Sequence, residues 1–131
     1  MALIQNVKTF FSTHAETREN HMDKQLKSRY YKITNKNALK AVKEVVEKTN
    51  GYTVKSVSEE HGEIAVSINN GKKAFMIITV ISVRAFETAV DFSVSTETSL
   101  PFDFGFSKKQ IVHMYEKLDK SLTFIGSGLN D

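Results

Sequence analysis

The chain has 131 residues, a formal net charge of +3 and no cysteine, with 40% hydrophobic and 25% charged residues. That length suits one domain around one core, and that composition is not the composition of a disordered chain. The missing thiols exclude disulfides, thiolate metal sites and a cysteine nucleophile. The sequence pI is ≈ 9.1, but Lys and Arg are spread along the chain rather than gathered, which describes a solvated surface more than a nucleic-acid footprint.

No stretch reaches the ~20 apolar residues of a membrane span. The start, MALIQNVKTFF, lacks the basic and long apolar regions of a signal peptide, so the expected location is the cytoplasm. Leu3, Ile4, Val7, Phe10 and Phe11 recur at helical spacing and predict a short amphipathic helix over residues 2 to 11. Residues 12 to 27 are polar and predict either a continuation of that helix or a connection. Ser28 to Ile33, SRYYKI, has the aromatic and β-branched content of a strand.

Thr34 and Asn35 then offer an N-cap. Ala38, Leu39, Val42, Val45 and Val46 fall on one side of a helix that Asn50-Gly51 closes. A meander of four strands follows: Tyr52 to Ser58, Glu63 to Asn69, Lys73 to Val83 and Phe86 to Glu97. Its second turn, Asn69-Asn70-Gly71-Lys72, carries a hairpin signal because Asn and Gly tolerate positive φ. In the fourth strand Val90, Phe92 and Val94 alternate with Asp91, Ser93 and Ser95, which predicts an inner apolar face and an outer polar one. Pro101 ends the sheet. Ser107 is the expected cap of a closing helix lined by Ile111, Tyr115, Leu118 and Leu122.

The predicted fold is α+β: a single curved antiparallel five-stranded sheet, in the order β-α-β-β-β-β-α, with both helices on one face and an extra N-terminal helix. Residues 1–26 form the N-terminal helix and polar connection, 27–125 the single α+β domain and 126–131 a tail. Right-handed connections return the first strand to the edge beside the fourth meander strand. This topology resembles one half of the TATA-box-binding protein fold.

Arg29-Tyr30-Tyr31, Val90-Asp91-Phe92-Ser93-Val94-Ser95 and Asp103-Phe104-Gly105-Phe106-Ser107 stand in the same order as three motifs of a bacterial domain family of unknown function. Over roughly residues 27 to 122 the chain resembles a distant relative of that family, with Ser107 where Asn is usual. The resemblance implies the same α+β fold; because the family has no assigned activity, it implies nothing about function.

Asp103-Phe104-Gly105 also spells the magnesium-binding triplet of protein kinases, but the glycine-rich loop, strand lysine and H-R-D segment are missing. The triplet therefore reads as a turn in which Asp103 receives backbone N–H groups and Gly105 takes a conformation closed to other residues. His14, His21, His61 and His113 have no metal-ligand spacing and read as surface residues. Ser93, Ser95, Asp91 and Glu97 share a face without a group to orient a base. Arg29 and Asp91 could pair across neighbouring strands, either fixing register or holding a small anion. With Asp103 they form the candidate polar site; no catalytic, metal or cofactor-binding residues are assigned.

The third meander strand is apolar on both faces, with Phe75, Ile77, Ile81 and Val83 on one and Met76, Ile78 and Val80 on the other. A half-solvated sheet should not be, so one face needs a cover. Met76, Ile78 and Val80 are the candidate apolar surface. The N-terminal helix, a second protomer and an apolar ligand are the candidate covers, in that order.

These features point to a non-enzymatic binding or interaction domain, self-associating through the sheet or the N-terminal helix. A carrier of an apolar small molecule or lipid is the alternative, and nucleic-acid binding on the concave sheet is a third, less favoured reading. No cofactor is expected.

Overall fold

The computed structural model describes residues 13–127. The helix predicted over residues 2 to 11 lies outside them. In chain order the elements are β1 (His14–Glu16), a 3₁₀ turn (Lys24–Leu26), β2 (Arg29–Tyr31), α1 (Asn35–Glu47), β3 (Tyr52–Ser58), β4 (Glu63–Asn69), β5 (Lys73–Arg84), β6 (Glu87–Glu97), α2 (Phe106–Ser121) and β7 (Phe124–Ser127).

All strands join one curved, unclosed antiparallel sheet in the order β3-β4-β5-β6-β2-β7, with β1 also paired to β6. The expected α+β class and antiparallel meander are present, and β2 does lie beside β6, with Arg29 opposite Val90. The described residues form seven strands rather than five. β1 occupies Ser93 to Ser95 of β6 and β2 occupies Thr88 to Val90, so two short strands share one edge in succession. β7 then pairs on the far side of β2. The polar connection and the start of the predicted tail thus belong to the sheet.

The local signals act as their chemistry requires. Thr34 Oγ1 accepts from the Asn37 N–H at the start of α1. Gly71 takes φ 90° in the β4–β5 hairpin, where Asn69 pairs with Lys73. At Gly62 (φ 65°) a Cβ would sit 2.4 Å from the Val80 carbonyl oxygen, so only glycine lets the β3–β4 turn reach β5.

Both helices cover one face. Ala38, Val42 and Val46 of α1 and Ile111, Met114 and Leu118 of α2 are wholly buried, as are Ile64, Val66, Met76, Ile78, Val90 and Val94 beneath them. Phe92 meets the Tyr115 ring edge-on at 4.8 Å between centroids. Met76, Ile78 and Val80 are therefore core and not an open apolar surface. The open set is the other one: Phe75, Ile81 and Val83 are 48, 50 and 48% exposed. Register explains the assignment, because Met76 pairs with Val66 and Val94, whose apolar side chains share its face, whereas Phe75 pairs with Ser67 and Ser95.

Candidate functional site

The three residues of the candidate polar site stand at three separate centres. Asp103 is 1% exposed and follows the turn after β6. Its Oδ1 accepts from the Gly105 N–H at 3.0 Å, and its Oδ2 accepts from the Ser107 N–H at 3.1 Å and the Thr96 hydroxyl at 2.7 Å. Phe104 and Gly105 both take left-handed φ, 57° and 79°, turning the chain tightly enough for one carboxylate to reach both amides. The expected turn at Asp103-Phe104-Gly105 is present. The N-cap position is Gly105, however, and not Ser107, which sits buried inside the first turn of α2; the acceptor for that turn comes from Asp103, two residues before the cap. Every polar atom of this carboxylate is engaged in holding a helix start.

Asp91 lies where β1 leaves the edge of β6 and β2 enters it. Its Oδ1 accepts from the Thr17 hydroxyl at 2.6 Å and the Ser28 hydroxyl at 2.5 Å. Thr17 Oγ1 also accepts from the Phe92 N–H, so residues 17 and 28 are drawn to one point of β6. This carboxylate closes the loop between the two strands.

Arg29 does not pair with Asp91. Opposite Val90, it shares the helix-side face, while Asp91 points to the other. Its guanidinium instead meets Asp119 of α2 through two hydrogen bonds, Nε to Oδ1 at 3.3 Å and Nη2 to Oδ2 at 2.8 Å. The Tyr31 hydroxyl donates to the same Oδ1 at 2.7 Å. The Phe124 ring centroid lies 3.9 Å from Arg29 Cζ, and that of Tyr115 lies 5.5 Å away. Burial first, and the bond to Asp119 second, push the Tyr31 phenol well above its ordinary value, so it donates and does not ionise. Burial does the same to Tyr115, whose hydroxyl donates to the Val90 carbonyl at 2.6 Å. The group ties β2, α2 and β7 together.

The histidines divide differently from expectation. His14, His61 and His113 are exposed, but His21 is 5% exposed. Its Nδ1 accepts from the Asp23 N–H at 3.0 Å, in a loop whose Asp23 carboxylate meets Lys108 of α2 at 2.6 Å. Burial first, and the nearby Arg18 cation second, lower the His21 pKa from its usual value. Nothing in the STHAETRENHMDKQLK spelling signals that burial, because the cover comes from α2.

Ser93, Ser95, Asp91 and Glu97 do share the outer face of β6, and His14 Nδ1 lies 2.7 Å from Ser95 Oγ. This contact sits on an exposed surface, where the other ring nitrogen, Nε2, lies 3.9 Å from the Glu16 carboxylate. Among the described residues no three His, Asp or Glu side chains gather as metal ligands would, and no helix is long and apolar enough to cross a membrane.

What the structure does present is a surface. Down the outer face of β5 run Phe75, Ile77, Thr79 and Ile81; exposed Val83 follows in the irregular stretch between Ser82 and Arg84, and Phe86, 61% exposed with φ 57°, stands at the tip of the β5–β6 hairpin. Charged pairs bound this row at both ends, with Lys73 opposite Glu97 and the Arg84 guanidinium 3.1 Å from the Glu87 carboxylate. No protein-family profile, curated protein or solved structure matches the chain, so the geometry alone carries the functional reading.

Proposed function

We propose that this is a non-enzymatic interaction domain that self-associates through the outer face of its sheet. The carrying observation is the apolar row Phe75, Ile81 and Val83, each about half exposed on a face whose other strands are polar. The charges favour a second copy as the partner. Each end of the row holds one cation and one anion, Lys73 with Glu97 and Arg84 with Glu87, so neither end carries a net charge that would repel an identical face.

Two other occupants fit less well. An apolar ligand between sheet and helices would have to displace Met76, Ile78, Ile111 and Met114, which are wholly buried against one another. Nucleic acid would meet Glu16, Glu63, Asp91 and Glu97 on the outer face, against Lys73 and His14.

Light scattering of the full chain across micromolar concentrations tests the reading. A dimer is expected, and Phe75→Lys or Ile81→Lys should turn it into a monomer that melts at an unchanged temperature in dilute solution. A wild-type chain that stays monomeric throughout overturns self-association.

A further inference from the structure

A second surface lies at the opposite edge of the sheet and is independent of the apolar row. α1 turns Ala38, Val42 and Val46 to the sheet, which leaves Lys36, Lys40 and Lys43 on the flank that overhangs edge strand β3. Between flank and strand runs an open groove of ≈ 750 Å³, lined by those three lysines, Asn35, Asn37, Leu39, Val57 and Glu59. Its size is that of a ligand site for several side chains.

Three observations define what it would accept. The lining carries three ammonium groups against one carboxylate, Glu59. Although Glu44 and Glu47 lie one helical turn beyond Lys40 and Lys43, none of the three lysines forms an ion pair among the described residues. The wall is also apolar, since Val57 stays 37% exposed on the helix side, where Leu39 faces it. Finally, no strand among the described residues pairs with the outer edge of β3.

We infer that this groove binds an acidic peptide segment in extended conformation. Its backbone would add to the free edge of β3 beyond the irregularity at Lys55, where pairing with β4 resumes from Ser56 to Ser58. Along the helix Lys36 and Lys40 are separated by a rise of about 6 Å and Lys40 and Lys43 by about 4.5 Å. Same-side residues of an extended chain repeat every ~6.6 Å, so carboxylates at alternate positions reach successive lysines. Small apolar side chains near them cover Val57, the exposed apolar residue of the groove. A single-stranded nucleic acid would also seek cations, but its bases stack on aromatic rings, and no aromatic residue lines the groove.

The test is fluorescence anisotropy with a labelled ten-residue peptide of alternating Glu and Val, beside a labelled ten-nucleotide oligothymidine. The full chain should bind the peptide more tightly than the oligonucleotide, with binding that weakens as salt rises. Lys40→Glu with Lys43→Glu should weaken the peptide by at least about tenfold, with a cooperative melt lowered only slightly by the new like-charge neighbours Glu44 and Glu47. That double variant should instead bind a peptide of alternating Lys and Val, which separates lost complementarity from lost folding. Hydrogen exchange of the β3 amides should slow in the wild-type complex. An absence of peptide binding, equal binding by the double variant, unaltered β3 exchange, or tighter binding of the oligonucleotide overturns the proposal.

Discussion

On β5, Met76, Ile78 and Val80 face the helices and are 0 to 1% exposed, whereas Phe75, Ile81 and Val83 on the opposite face are about half exposed. The two sets are chemically alike, so hydrophobicity does not decide which is core. Neighbours decide. The inner set continues into Val66, Val94 and Ile64, and two helices press on it; the outer set is flanked by Ser67, Ser93 and Ser95. One face is fixed by packing within the chain, and the other is left open among the described residues.

The strongest way to break this comparison is to truncate both faces. Phe92→Ala, on the inner face against Tyr115, should lower unfolding stability by about 3–5 kcal/mol in urea titrations. Phe75→Ala in dilute protein should change it by less than about 1 kcal/mol. Equal losses would mean that the outer face is covered within the chain.

A middle-sized effect belongs to the Asp103 turn, which joins β6 of the inner core to α2. Asp103→Ala leaves the Thr96 hydroxyl and two N–H groups without their acceptor, and should lower stability by about 2–3 kcal/mol. Asp103→Asn keeps one acceptor oxygen and should fall between that variant and wild type. A neutral Asp103→Ala would show that the carboxylate does not hold the helix start.

The smallest effect sharpens the contrast at the periphery of the inner layer. His21 is held below its usual pKa of 6.5 by burial and by Arg18, with Lys108 adding to the effect and Asp23 and Glu16 opposing it. As pH falls, the unfolded chain takes up this proton first. The contribution of neutral His21 is therefore complete above the unfolded value and is lost progressively as pH falls below it toward the folded value. Melting temperature should decline through that window, and His21→Asn, which keeps an acceptor for the Asp23 N–H, should flatten the decline. An unchanged pH profile in His21→Asn would remove His21 from the account.

The elements read correctly from sequence are those whose signals are local. The cap at Thr34, the Asn-Gly hairpin and the alternation of Val90, Phe92 and Val94 depend on neighbours within a few residues. The Asp103 corner is of the same kind. What escaped depends on distant partners. β1 spells only His-Ala-Glu, and it is a strand because Ser93 to Ser95 offer it an edge. Arg29 found Asp119 instead of Asp91 because register places it opposite Val90, a one-residue matter that no propensity encodes. The choice between two apolar faces of β5 likewise waited on where the helices pack.

The edge of β6 also sets an order in time. Everything that β1 and β2 bond to on that strand lies late in the chain: Thr17 and Ser28 reach Asp91 across 74 and 63 residues. On a ribosome the first strands therefore emerge long before their partner exists, while the β3–β4–β5–β6 meander can form as it is made. The carboxylate of Asp91 receives its two hydroxyl donors only once the N-terminal segment lies along β6.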